Sequence, residues 1–186
     1  DEGKYCVVAS IDLSKAFDSI DHETLMWKLE DIGFKYSARS LTEQYLRNRS
    51  QAVKINGVIS EWMPTCRGVP QGTIMGPLLF NIYVNDMTDK VDCEIVHYAD
   101  DTLLYTSHKV LQNAIDKVSR NCDKMVDYFN MHKLTVNVSK TETIVFSPTR
   151  EGFKKTTSIK IKDETLYFKT EIIYLVVTID VDLKYD

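Results

Sequence analysis

Glu94-Ile95-Val96-His97, Tyr98-Ala99-Asp100-Asp101 and Thr102-Leu103-Leu104-Tyr105 follow one another, and how they are read decides the fold. β-Branched and aromatic residues on both sides of a short polar pair predict a β-hairpin with two carboxylates at its tip. Two adjacent aspartates repel each other, a poor choice for stability alone. A hard divalent cation such as Mg²⁺ removes the objection, because it is bound through carboxylate oxygens. Asp is also common in turns for its own local hydrogen bonds, so the pair taken alone reads first as a polar turn. The rest of the sequence overturns that reading.

Upstream, Tyr5 to Ile11 is a short continuous apolar run, the pattern of a buried central strand, and it ends at Asp12. A carboxylate at that strand end can face the pair on a neighbouring hairpin. Three acidic groups from two adjacent strands could hold two divalent ions roughly 3.5–4 Å apart, the arrangement of in-line phosphoryl transfer. After Ser19 or Asp21 as N-cap, Leu25, Met26, Leu29 and Ile32 recur at helical spacing, and Gly33 stands where a helix C-cap would. Asp18 and Asp21 read as caps of this helix rather than metal ligands, and His22 as structural.

A second helix is expected over Ser37 to Arg47, with Arg47, Arg49 and Lys54 as a modest basic group. Ala52 to Ile55, Asn56-Gly57 and Val58-Ile59 predict a hairpin with a type I′ turn. The loop Arg67 to Gly72 precedes a helix from about Pro77 to Met87. Leu111, Ile115, Val118, Cys122, Met125 and Phe129 mark one long amphipathic helix whose stripe is core. Short strands are expected over Thr143 to Phe146, Ser158 to Ile161, Leu166 to Phe168 and Ile172 to Thr178. Helices and hairpins are mixed rather than strictly alternating. That predicts an α+β fold, an antiparallel sheet with helices on one face, and excludes a doubly wound nucleotide fold. No G-x-G-x-x-G or Walker loop is present.

The composition of the 186 residues is that of a globular chain, and no apolar run approaches the roughly 20 residues of a membrane span. No membrane partner is expected. Cys6, Cys66, Cys93 and Cys122 are scattered, without a C-x-x-C pair or histidines at zinc-ligand spacing. They read as buried, reduced thiols of an intracellular protein of nucleus or cytoplasm. A net charge of −4 counts against an independent nucleic-acid-binding module, whose usual footprint is basic. The start, Asp1-Glu2-Gly3-Lys4, has neither an initiating Met nor a secretory leader and reads as a cut inside a longer chain.

Four stretches then occur in order: Ser10-Ile11-Asp12-Leu13-Ser14-Lys15-Ala16-Phe17-Asp18, Arg67 to Phe80, Tyr98-Ala99-Asp100-Asp101, and Asn137-Val138-Ser139-Lys140-Thr141-Glu142. They resemble motifs A, B, C and D of reverse transcriptases. The wording is most similar to the non-LTR, LINE-type retrotransposon enzymes, through Asp12 to Asp18, Gly76-Pro77-Leu78-Leu79-Phe80 and Asn85-Asp86. A group II intron enzyme would carry a different variant around Gly72 to Pro77. The resemblance spans about Val7 to Leu183, the whole as one reverse transcriptase palm domain over residues 1–186.

The resemblance implies a polymerase palm that adds deoxynucleotides to a primer 3′-OH on an RNA template. Its cofactor would be two Mg²⁺ ions, with Mn²⁺ as the alternative. Asp12, Asp100 and Asp101 match the family's metal-binding, catalytic carboxylates, with Leu13 placed beside them as metal and substrate contact. Phe17 matches the steric gate against a 2′-hydroxyl. Pro70, Gln71 and Gly72 match the loop lining nucleotide and template, where glycine lets backbone approach a ligand closely. Tyr98 and Ala99 complete the substrate contacts, the small Ala99 leaving room for primer. Lys140 matches a proton donor to pyrophosphate or an electrostatic clamp.

Ile173 to Asp180 resembles the primer-grip hairpin, with Val176 where the family has glycine. A side chain there is expected to distort the grip or lower activity. Val138, where proline is frequent, is a milder departure. The family's fingers ahead of motif A, its thumb, and the endonuclease and zinc-knuckle regions of many LINE-type proteins are expected in the parent chain. Two rival readings are a degenerate or domesticated palm acting as an interaction module, and an intron maturase or telomerase-like enzyme.

Overall fold

The computed structural model describes residues 3–148 and 157–183. In chain order the elements are β1 (Tyr5–Ile11), β2 (Leu13–Ser14), α1 (Ala16–Ser19), α2 (His22–Asp31) and α3 (Tyr36–Leu46). The short pairs β3 (Ser50–Gln51), β4 (Lys54–Ile55), β5 (Val58–Ile59) and β6 (Met63–Pro64) follow, then α4 (Met75–Val84). The remainder is β7 (Glu94–Tyr98), β8 (Asp101–His108), α5 (Leu111–Met131), β9 (Thr135–Val136), β10 (Glu142–Phe146), β11 (Ser158–Ile161), β12 (Glu164–Tyr167), β13 (Glu171–Tyr174) and β14 (Val177–Asp180). Single 3₁₀ turns cover Asn85–Lys90 and Val138–Lys140. Among the described residues no helix is long and apolar enough to cross a membrane. The elements divide into two compact units, one of residues 1–14, 86–131 and 135–186, the other of residues 15–85 and 132–134.

The first unit is built on a four-stranded antiparallel sheet in the order β10-β1-β8-β7. β1 is central and apolar at nearly every position, because both its faces are covered. Val8, Leu103 and Ile144 on one face pack with Ile172 of β13. α5 packs on β1 and β8, and alternation assigns it the opposite face, where Val7, Ala9, Leu104 and Val145 are fully buried. The expected apolar stripe of α5 holds: Ile115, Val118, Cys122, Met125 and Phe129 are buried. Of the four cysteines, all free, Cys122 alone is buried and Cys66 is exposed, which corrects the expectation of four buried thiols.

The second unit carries α1 to α4 and the small β3–β6 and β4–β5 ladders. Asp21, not Ser19, is the N-cap of α2; its carboxylate accepts from the Thr24 N–H at 3.0 Å. The helix ends in a Schellman motif: Phe34 N–H donates to Leu29 O and Gly33 N–H to Glu30 O, with Gly33 at φ 91°. Asn56 and Gly57, at φ 50° and 83°, form the expected left-handed turn. Tyr83, fully buried, donates its hydroxyl to His132 O at 2.6 Å and so ties residues 132–134 into this unit.

At one element the strand expected from periodicity gives way to a hairpin, the form the resemblance implied for Ile173 to Asp180. Ile172 to Thr178 is not a single strand but turns at Leu175-Val176, with Tyr174 paired to Val177 across a two-residue loop. Leu175 and Val176 stand at φ 48° and 68°. Glycine suits this position because the backbone is left-handed, not because another group approaches: Val176 is 97 % exposed. A left-handed, β-branched residue costs roughly 1–2 kcal/mol, and glycine's own chain entropy returns roughly 0.5–1 of that. Val176→Gly is therefore expected to stabilise the chain by about 1 kcal/mol, a Tm rise of about 2–4 °C in a thermal melt. An unchanged or lower Tm would contradict this account of the turn.

Candidate active site

Asp12 follows β1 directly, and Asp101 opens β8. The β1–β8 ladder ends at Ile11 opposite Thr102, so its register continued by one residue sets Asp12 opposite Asp101. Asp100 and Ala99 form the two-residue loop between β7 and β8, closed by the Tyr98–Asp101 pair. Asp101 thus belongs to the strand and Asp100 to the tip. Like charges in facing positions of a sheet are destabilising. The Asp101 carboxyl registers this: its pKa is raised, first by partial burial, then by Asp100 and Asp12. Ala99 holds φ 54°, a left-handed conformation unusual for alanine, so the tip is strained where the acidic pair is presented.

Around this corner, burial depresses the pKa of His97 against the opposing pull of Asp100, and His97 Nδ1 lies 2.9 Å from the Thr102 hydroxyl. Tyr98 is 66 % exposed. Leu13 has its side chain buried and is paired to Val136, while Asp12 O accepts the Asn137 N–H at 2.8 Å. That bond anchors the segment carrying Lys140. A cavity of about 480 Å³ is lined by Asp12, Asp101, Ser139, Lys140, Glu142 and Lys169. Three residues assigned from sequence, Asp12, Asp101 and Lys140, therefore share one cavity.

Sequence reasoning missed Lys169, which is ion-paired to Glu142, and Tyr174, whose pKa is raised by burial and then by Asp101. Both arrive from β13 and the segment before it, far along the chain, and no local pattern announces them.

Three carboxylates supply the hard oxygen donors that a divalent cation of the Mg²⁺ class takes. Asp12 and Asp101 occupy facing register positions, and Asp100 is next in sequence. Among the described residues no three acidic, His or Cys side chains converge into a ready coordination cage. The donor set fits such an ion in the chemistry of its oxygens and in strand position.

The remaining sequence-assigned residues lie in the second unit. Phe17, half-buried in α1, stacks on the buried Phe80 at 4.8 Å between ring centroids. Asp18 corrects the capping expectation: its carboxylate accepts from Gln71 Nε2 at 2.8 Å. Gly72 stands at φ 72° with open space where a Cβ would project. Thr73 shapes the loop, its hydroxyl donating to Pro70 O at 2.8 Å and accepting the Gly76 N–H at 3.1 Å.

Tighter packing occurs at two glycines to which the sequence reading gave no role. A Cβ on Gly68 would fall 2.8 Å from the Asp18 backbone, and one on Gly76 2.8 Å from Pro70 O. His22 Nε2 donates to Gly68 O at 2.7 Å, which gives this structural histidine a specific task. Another cavity, about 470 Å³ between α2 and α3, is a salt-bridged seam with Arg39–Glu30 and Arg47–Glu43 on its rim.

The Asp21 carboxylate is partly buried, which alone would raise its pKa. The Lys133 ammonium at 2.8 Å and the Thr24 N–H and hydroxyl outweigh that and hold it at about 2. A folded-state pKa below the ordinary 3.8 means stability present above about pH 4 and lost as pH falls toward 2. Lys133 is 45 % exposed, so screening limits the contribution to on the order of 1 kcal/mol. Asn caps helices as well as Asp does. Asp21→Asn should thus lower the neutral-pH Tm by a few degrees and flatten the stability profile between pH 4 and pH 2. A parallel, unflattened profile in pH-dependent denaturation would contradict the ion pair.

The whole chain has counterparts. Residues 1–179 match the family model described as "Reverse transcriptase (RNA-dependent DNA polymerase)". The RNA-directed DNA polymerase from mobile element jockey of Drosophila melanogaster is 28% identical over 152 residues, covering 77% of this chain and 16% of its own. The jockey polymerase of Drosophila funebris is 23% identical over 190 residues, 98% of this chain and 20% of its own. The chain thus spans about a sixth to a fifth of the length of these curated relatives. Among solved structures, apo telomerase from Candida tropicalis matches with TM-score 0.66 at 15% identity, over 98% of this chain and 35% of that one. Telomerase from Candida albicans, in complex with a fragment of telomeric RNA, matches at TM-score 0.61 and 17% identity, over 96% and 31%. These structures share its mixed helical and antiparallel-sheet fold. On its ordered motifs and its match over residues 1–179, this chain belongs to the reverse transcriptase family.

Proposed function

We propose that this chain is the catalytic palm of an RNA-directed DNA polymerase, extending a DNA primer on an RNA template. The observation that carries the reading is the β1–β8 register, which sets Asp12 against Asp101 with Lys140 on the same cavity. Asp12, Asp100 and Asp101 would hold two Mg²⁺ ions, which supply activation of the attacking hydroxyl and neutralisation of charge on the leaving group.

In the reaction the primer 3′-oxygen forms a bond to the α-phosphorus, and the bond from that phosphorus to pyrophosphate breaks. The 3′-hydroxyl proton is released to solvent. Lys140 gives a proton to the departing pyrophosphate, and Lys169 beside it adds positive charge. Phe17, braced by Phe80, selects deoxynucleotides by crowding a 2′-hydroxyl. Gln71, oriented by Asp18, contacts the nucleotide and template. The β13–β14 hairpin serves as primer grip.

Primer extension by the full parent chain with Mg²⁺ on an RNA template tests this. Extension abolished by Asp100→Ala supports the polymerase. RNA binding without any extension would favour the second reading, a palm retained for interaction. The strained Leu175-Val176 turn is the observation on that side.

A further inference from the structure

Carboxylates and one phenol share a face of the β10-β1-β8-β7 sheet. Alternation along β8 sets Asp101 on the same face as Leu103, and the continued β1 register sets Asp12 on the face of Val8. Glu142 joins them from β10, two residues before Ile144. That is the face covered by β13, whose Ile172 closes the cluster with Val8, Leu103 and Ile144. Tyr174 stands two residues after Ile172 in β13, so its side chain turns to the same face, and it packs against that cluster.

The Tyr174 hydroxyl oxygen is buried and has no hydrogen-bond partner among the described residues. Packing alone does not account for a tyrosine here. Phenylalanine would fill the same space without a polar atom, and a buried hydroxyl left unpaired is costly. Burial, and after it the charge of Asp101, raises its pKa, so the phenol keeps its proton to donate. Asp101 is the one carboxylate that acts on it, and Glu142, on the same face, is already held by Lys169. A carboxylate that ligates a cation through one oxygen can accept a hydrogen bond at the other. Such outer donors fix the orientation of the ligating group.

We propose that Tyr174 is a positioning residue for the carboxylate corner, its hydroxyl donating to Asp101 when Asp12, Asp100 and Asp101 converge on a divalent cation. The role rests on the metal site of the polymerase reading, which otherwise gives the β13–β14 hairpin only to the primer.

The test is isothermal titration of Mn²⁺ into the 186-residue chain and its Tyr174→Phe variant. Loss of the hydroxyl alone should weaken Mn²⁺ binding about tenfold, with a metal-free Tm equal to or above that of the native chain. Tyr105→Phe removes the hydroxyl of another tyrosine packed on the same cluster and should leave the affinity unchanged. In the parent chain, Tyr174→Phe should raise the Mn²⁺ concentration for half-maximal primer extension by the same factor and leave the primer KM alone. Native Mn²⁺ affinity in Tyr174→Phe, or an equal loss in Tyr105→Phe, would overturn the role. A raised primer KM at an unchanged metal requirement would overturn it too, by assigning the hydroxyl to the primer. A native chain that binds no Mn²⁺ would sink the metal site and this role together. A native isotherm that Tyr174→Phe leaves intact would sink the role alone.

Discussion

Asp101→Asn should abolish primer extension by the parent chain while making the metal-free chain more stable. The two effects have one cause. Asp101 faces Asp12 across the β1–β8 ladder and follows Asp100, and its pKa is raised by partial burial and by both neighbours. A carboxyl whose folded pKa lies above its unfolded value opposes folding when ionised, and the cost is relieved as pH falls through that folded pKa. Asn removes this repulsion at neutral pH. Because Asp101 is exposed, the gain is bounded by what like charges cost across a sheet, up to about 1 kcal/mol or a few degrees in Tm. The catalytic loss is far larger. Cation stabilisation of phosphoryl-transfer charge is worth several kcal/mol, so losing a ligand should lower the rate by about 10³-fold or more. Paired melting and extension assays check both halves. A variant that loses activity and also melts earlier would place Asp101 in the architecture instead of the site.

Gly68→Ala carries the largest expected cost in stability. Gly68 sits at φ 82°, and its absent Cβ would lie 2.8 Å from the Asp18 Cα and carbonyl oxygen. Those are backbone atoms, pinned by Gly68 N–H donating to Ile20 O at 2.7 Å and Val69 N–H to Phe17 O at 2.9 Å. The clash has no flexible side chain to absorb it. A left-handed alanine costs roughly 1–2 kcal/mol and overpacking adds roughly 1–3, so about 3 kcal/mol or more is expected, a Tm drop near 10 °C. Gly72→Ala shares the positive φ but meets open space, so it should cost only the first term, about 1–2 kcal/mol. Equal melting temperatures for the two variants would contradict the clash.

The regular elements were legible where periodicity is strong. The run Tyr5–Ile11 is β1 to the residue, and the α5 stripe buries as read. Asn56-Gly57 forms the left-handed turn its chemistry dictates. Periodicity misled where conformation and composition disagree: Leu175-Val176 has strand-forming side chains on a turn backbone, so the apolar run read as one strand although the family resemblance implied a hairpin there. Asp18 is a plausible cap by local spacing, yet its partner Gln71 lies 53 residues away. Lys169 and Tyr174 approach the carboxylate corner through tertiary packing alone. The acidic motifs could be named from the sequence because the chemistry restricts their side chains.

The central claim is that Asp12, Asp100 and Asp101 together form a divalent-cation site. Isothermal titration of Mn²⁺ into the 186-residue chain addresses it without nucleic acid or catalysis. The account predicts a binding isotherm for the native chain that disappears in Asp12→Asn/Asp101→Asn, with both proteins folded by circular dichroism. An isotherm of equal strength in the double variant, or none in the native chain, would contradict it.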